Sequence, residues 1–269
     1  MRKKPLITLT TDFAVQSQGV GNMEALILDI VPYANVVHLS HGVADFNLHS
    51  GARVMEAINY LPVGFHVCVI DPGVGTKRQP IIIQTKRGDF LIGPDNGVLI
   101  SAAQILGGAK KVVAITSLKY MILPVSPIFH GRHIFAPAAA FLAKGTPIDQ
   151  FGPILDFDKL VQAPYQEATI KNQSIEAEII HINKFGSIHL NILHSTWDQF
   201  KLELGQTVRF ILNNQTLKLP FFETFGQVDI GTPLILKDDF GRIEVAINQG
   251  SFAKKFSVKV GDKCTVKKD

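Results

Sequence analysis

The segment 65-FHVCVIDPGVGTKRQPIIIQTK-86 sets two Val- and Ile-rich runs on either side of a loop holding Asp71, Gly73, Gly75, Lys77 and Arg78. Each run has the length and β-branched content of a strand, and Pro72–Gly73 marks a turn between them. The loop is a poor phosphate cradle. A P-loop needs G-x-x-x-x-G-K-[ST] leading into a helix, whereas here one residue separates Gly73 from Gly75, Thr76 precedes Lys77 and a strand follows. Asp71 would also repel an anion. What remains is a tight turn that returns Arg78 toward Asp71. It is either an ordinary ion-paired turn or a pair in which the cation keeps a working carboxylate ionised.

Outward from this segment, strand-like and helix-like stretches alternate from Pro5 to about Lys144. "PLITLTTD", "NVVHLS", "FLIGPD" and "KVVAITS" read as further strands. "GNMEALILDIV", "SGARVMEAINYL", "NGVLISAAQILGGA" and "IFAPAAAFLAKG" carry apolar residues at helical spacing, the first helix opening near Gly21. This predicts an α/β N-terminal domain with a largely parallel central sheet. After about Phe157 the texture changes. "IEAEIIHI", "GSIHLNI", "TVRFIL", "TLKLPF", "TPLILK", "RIEVAI" and "KFSVKV" follow one another with turns and hardly a helix, and "ILNNQTLKL" has the form of a hairpin. A smaller all-β barrel or sandwich is expected there, giving domains over 1–165 and 174–269.

The bulk numbers exclude several classes. With 269 residues, 46% hydrophobic and 19% charged, the chain is too apolar for disorder and too interrupted by charge for a membrane protein. Its start, "MRKKPLITLTTDF", is basic but lacks a signal-peptide pattern, and a cytoplasmic protein is expected. The net charge of +4 comes without a basic helix or an aromatic-interleaved basic stripe, so no nucleic-acid partner is expected. Cys68 and Cys264, far apart, suggest neither a disulfide framework nor a metal knuckle.

Several polar groups fall where ligands bind in such folds. Asp12 ends the first strand, where a carboxylate can accept both hydroxyls of a ribose or cap the next helix. "GPDNGVL" reads as a turn opening a helix. His130, Arg132 and His133 cluster before the Ala-rich helix; two histidines three apart can ligate metal, but no third ligand is evident, and a polar histidine cluster is the better reading. In the second domain, Asn183 and Gly186 lie about one hairpin. Gly241, Glu244, Asn248 and Ser251 lie about another strand and turn, whose backbone can contact a ligand or serve the hairpin alone.

Taken in order, "TTDF", "VIDPGVGTKR", "GPDNGVL", "FHGRHIFAPAAA", "INKFGSIHLN" and "GRIEVAINQGS" resemble the S-adenosylmethionine hydroxide adenosyltransferases, or S-adenosylmethionine hydrolases, relatives of the fluorinase and chlorinase enzymes. The resemblance spans nearly the whole chain. It implies an α/β domain followed by a β-barrel, no cofactor, and a homotrimer with active sites between subunits. It implies that Asp12 holds the ribose diol and that Asp71, Arg78 and His130 position and activate water. The halogenase branch lacks that complete set, so hydrolysis of S-adenosyl-L-methionine to adenosine and L-methionine is favoured over halide transfer. The substrate-binding positions would be Asp12, Asn183, Ser187 and Ser251, with adenine and methionine contacts from the β domain. Departures occur at Asn183, where relatives usually have Asp for the methionine ammonium, at Ser187, where they have Asn for adenine, and at His133, where Asp is usual. The first loop departs as well. These leave open a different adenosyl or nucleoside substrate, or a protein that binds without turnover.

Overall fold

The computed structural model describes residues 4–269, so the basic start at Arg2 and Lys3 lies outside the described residues. The chain divides into one compact unit ending at Pro164 and a second, Tyr165–Asp269.

The first unit is built on strands β1 (Leu6–Thr11), β2 (Asn35–Ser40), β3 (Phe65–Val69), β4 (Pro80–Thr85), β5 (Phe90–Pro94), β6 (Ala109–Ala114) and β7 (Ile154–Leu155), ordered β2-β1-β3-β5-β4-β6-β7. Helices are α1 (Gln18–Ile30), α2 (Leu48–Met55), α3 (Ile100–Ile105) and α4 (Ala136–Lys144). Side chains alternate across the sheet, as period-2 backbone requires. Val67, Val69 and Ile82 pack with Met23 and Ile27 of α1 and Ala138 of α4. Cys68, Ile81 and Ile83 pack on the opposite face with Met55 of α2 and Ala102 of α3. Such two-sided burial is why the strands read as nearly continuous apolar runs.

The expected largely parallel sheet is a mixed one. Only β2, β1, β3 and β5 run parallel; β4 is antiparallel to β5 and to β6, and β6 to β7. The cause is connection length. A parallel return needs a crossover of a dozen or more residues, usually a helix. The loop from β3 to β4 contains no helix, and β4 turns straight into β5 at Lys86–Asp89, where Gly88 takes a φ of 108° and its N–H bonds Thr85 O at 3.1 Å. The first helix also opens earlier than expected. It begins at Gln18, because Ser17 Oγ caps it by accepting the Gly19 N–H.

The second unit is an antiparallel, barrel-like sheet. Its strands are β8 (Ile170–Lys171), β9 (Ser174–Ile182), β10 (Ile188–Leu193), β11 (Thr207–Leu212), β12 (Gln215–Pro220), β13 (Pro233–Lys237), β14 (Arg242–Ile247) and β15 (Lys263–Lys268). The order β12-β11-β15-β9-β10-β14-β13 nearly closes through a bridge from Phe221 to Ile235. Inward residues of these strands form one core with Phe210, Ile243, Val245 and Val266 fully buried. The β11–β12 hairpin turns on Asn213 and Asn214, both left-handed with φ of 48° and 61°, a conformation asparagine tolerates well. Two short helices contradict the nearly helix-free reading: α5 (His194–Phe200), which buries Trp197 and Phe200 in the core, and α6 (Phe252–Phe256). Each offers too few residues for a helical period to stand out.

Candidate active site

In the first unit the site grows from two neighbouring parallel strands. Thr11 of β1 is in register with Val69 of β3, so Asp12 and Asp71 emerge side by side at the carboxyl ends. This is where open α/β sheets present ligand-binding groups. Thr11 is anchored beneath: its Oγ1 accepts the Phe13 N–H at 3.1 Å and lies 2.9 Å from His41 Nδ1. His41 O in turn accepts the Ala14 N–H. Asp12 Oδ2 accepts the Phe46 N–H at 3.0 Å. Burial pushes the Asp12 carboxyl above its usual range, aided by repulsion from Asp45 and Asp71 and opposed by the Phe46 hydrogen bond.

The Asp71–Arg78 loop folds by its own hydrogen bonds. Thr76 Oγ1 donates to Gly73 O at 2.7 Å, and the Val74 N–H reaches Asp71 O at 3.2 Å. Gly75 is required by the backbone: its φ is 76°, and a Cβ there would lie 2.6 Å from Pro127 O. The turn returns Arg78 onto Asp71. Nε donates to Oδ1 at 3.1 Å and Nη2 to Oδ2, with both side chains almost fully buried. Nη2 also donates to His130 Nδ1 at 2.9 Å. Because a guanidinium only donates, His130 must accept at Nδ1, which makes it the neutral imidazole protonated at Nε2. Burial lowers the His130 pKa, the Arg78 charge lowers it further, and Asp71 opposes. The guanidinium rests over the Phe135 ring at 5.4 Å. Its remaining nitrogen, Nη1, is buried without a hydrogen-bond partner among the described residues.

His130 is delivered by an irregular stretch, Gly131–Phe135, wound as a π-helix before α4. His133 points away from it, with Nδ1 3.0 Å from Ile122 O and Nε2 accepting from Arg132 Nε at 2.9 Å. Asp12, Asp71 and His130 line one cavity of about 210 Å³, with Phe13, Phe46 and Phe129 among its walls. Phe46 was not foreseen; nothing in its sequence surroundings signals an N–H aimed at Asp12.

The second unit has its own cavity, of about 680 Å³, lined by Asn183, Phe185, Ser187, Phe225, Glu244 and Asn248 among others. Asn183 caps a turn: its Oδ1 accepts the N–H groups of Phe185 and Ser187 at 3.0 and 3.1 Å. Its Nδ2 faces His189 Nε2 at 3.4 Å, while His189 Nδ1 donates to Asp238 Oδ2 at 2.8 Å. Ser187 is buried on the cavity wall. Ser251 stands apart from these lining residues as the N-cap of α6, accepting the Lys254 N–H at 3.2 Å. It packs on Gly186, where a Cβ would fall 1.9 Å from Ser251 Oγ. His189 and Asp238 were also missed by sequence reasoning; the alternation of "SIHLN" on a strand was the available signal.

Comparison with known proteins adds an independent line. The sequence matches the SAM hydroxide adenosyltransferase N-terminal domain over residues 7–152 and the C-terminal domain over residues 177–265. It is 33% identical to an (R)-S-adenosyl-L-methionine hydrolase of Salinispora tropica, covering 99% of both chains. A fluorinase from an Actinoplanes species is more distant, at 23% identity over 98% of both chains. Among solved structures, an uncharacterised conserved protein from Thermotoga maritima superposes with a TM-score of 0.91 at 30% identity, covering 97% of this chain and 100% of that one.

Proposed function

This chain belongs to the SAM hydroxide adenosyltransferase family, and on that premise we propose that it hydrolyses S-adenosyl-L-methionine to adenosine and L-methionine. The observation that carries this reading is the bonded set Asp71–Arg78–His130 beside Asp12, with one buried guanidinium nitrogen unpartnered. Water attacks the ribose 5′ carbon in line with the carbon–sulfur bond. The sulfonium leaves with the bonding pair as the neutral thioether of methionine, so no general acid is needed. One proton is released. Neither a metal nor an organic cofactor is required for a leaving group that departs neutral.

What the residues must do is hold and activate a poor nucleophile. Arg78 Nη1 donates to the water oxygen, and its charge favours the hydroxide form. Asp71, bound to the guanidinium at two points, fixes that donor's direction. His130, neutral and protonated at Nε2, takes the proton at Nδ1 once that nitrogen is released from Arg78 Nη2. Alignment supplies on the order of 7–11 kcal/mol of the barrier in favourable cases, and a positioned base about 10²- to 10⁴-fold. Asp12 accepts the ribose hydroxyls with the lone pairs that Phe46 leaves free.

In this reading the α/β part, 1–165, holds the ribose and the water. The β part, 174–269, meets adenine and methionine through the walls bearing Asn183 and Ser187 and the turn at Ser251. The active form is a cytoplasmic homotrimer whose sites lie between subunits, as the family resemblance implies. A second reading, hydrolysis of another adenosyl compound, draws on Asn183, whose carbonyl oxygen is already engaged by two backbone N–H groups.

The test is chromatographic. Purified protein incubated with S-adenosyl-L-methionine in chloride-free buffer should form equimolar adenosine and methionine, and Arg78→Ala should lower the rate by about 10²-fold or more. Folded wild-type protein that forms no adenosine would overturn the proposal and direct the search to other adenosyl compounds.

A further inference from the structure

Among the described residues lining the larger cavity, Glu244 alone carries a formal charge. It projects from β14 on the face opposite the core residues Ile243 and Val245, and only 7% of it is exposed. No described residue gives its carboxylate a hydrogen bond or an ion pair within bonding distance. Its cross-strand neighbour is His189, but both nitrogens of that ring have other partners: Nδ1 serves Asp238 and Nε2 faces Asn183. The Glu244 carboxylate meets only the solvent of the cavity that it lines. Such a group stands ready for a cation brought by the ligand.

Asn183 shows why the cation belongs at Glu244. Its Oδ1 is turned into the hairpin by the Phe185 and Ser187 N–H groups, so the part of the amide left for a ligand is the NH₂. An ammonium cannot accept from that group, whereas it can donate up to three hydrogen bonds to a carboxylate. The same cavity is also lined by two aromatic side chains, Phe185, 67% exposed, and Phe225.

We infer that Glu244 is the specificity residue for the amino-acid end of the substrate, binding its ammonium, with Asn183 acting beside it as a donor. This rests on the proposal that the substrate carries a methionine moiety.

Two thioethers test it without turnover: S-adenosyl-L-homocysteine, which has the amino-acid end, and 5′-methylthioadenosine, which lacks it. Neither has a sulfonium leaving group, so their affinities can be read by calorimetry whether or not the wild type hydrolyses S-adenosyl-L-methionine. The isosteric Glu244→Gln should weaken S-adenosyl-L-homocysteine at least about tenfold and leave 5′-methylthioadenosine within about twofold. Retained affinity for the second ligand also shows that the cavity is intact. Equal weakening of both ligands, or of neither, would overturn the inference. So would a wild type that binds S-adenosyl-L-homocysteine no better than 5′-methylthioadenosine. Absence of adenosine from S-adenosyl-L-methionine would count against the hydrolase reading alone.

Discussion

The two cavities handle charge in opposite ways. In the first unit, Asp71, Arg78 and His130 bond to one another across buried contacts, leaving a single guanidinium nitrogen without a partner. In the second, the cavity is about three times larger, at roughly 680 against 210 Å³, and the charge of Glu244 has no partner of its own. In the proposed reaction the first arrangement is preorganised, so its dipoles need no rearrangement when charge develops at the water, and the second is completed by the ligand. On that reading the chain fixes its chemistry before binding and leaves recognition to be adjusted by single substitutions at the larger cavity.

The sharpest way to break that contrast is to disturb the loop that makes the first cavity rigid. Gly75→Ala places a side chain on a left-handed residue and drives its Cβ to 2.6 Å from Pro127 O. The loop must shift, and Arg78 with it. A misplacement of about 1 Å costs on the order of 10²-fold in rate, so kcat should fall by about that much. Affinity for 5′-methylthioadenosine should change far less. If kcat survives, preorganisation by this turn is not what sets the rate.

A milder perturbation is pH. In the proposed mechanism His130 acts as the base in its neutral form, and its pKa is lowered from the ordinary value of 6.5 by burial and then by Arg78. The acid limb of kcat/KM should therefore lie below pH 6.5, with activity dropping about tenfold per unit beneath it. The linked stability has the same sign. A depressed folded pKa contributes stability that is present above 6.5 and lost as pH falls through the folded value. Asp12 has the reverse sign: its raised folded pKa favours the protonated fold, a contribution lost as pH rises above that value. A pH–rate profile from pH 5 to 8 settles the first point, and an acid limb at or above 6.5 would remove His130 from the role of base.

How far these features could be read from sequence follows the range of the forces involved. Asp71 and Arg78 lie within one short turn, and Asp12 and Asp71 end strands recognisable by their apolar runs, so local pattern was enough to single them out. The parallel register that sets Thr11 beside Val69 is a tertiary fact. The three residues between "PIIIQTK" and "FLIGPD" leave no room for a crossover, so that turn was legible; which strands flank the pair was not. The Asn183–His189–Asp238 chain was illegible because it links a turn, a strand and a distant loop. The capping role of Ser251 was hidden for the same reason: the bond its Oγ accepts from the Lys254 N–H appears only once α6 is known to form.

The smallest expected effect is also the most discriminating at the second cavity. Asn183→Asp restores the carboxylate usual among the relatives this sequence resembles. One oxygen of the new group would inherit the Phe185 and Ser187 N–H bonds, and the other would stand where Nδ2 now faces His189 Nε2 at 3.4 Å. There it favours uptake of a second proton by the ring at Nε2, because Nδ1 already donates to Asp238. A carboxylate engaged on both sides by its own chain has little left for a substrate ammonium. The KM for S-adenosyl-L-methionine should therefore move by no more than about threefold, the range of a partly screened polar change. A fall of tenfold or more would place the ammonium at position 183, take that role from Glu244, and make the second cavity, like the first, one whose charge is fixed by the chain.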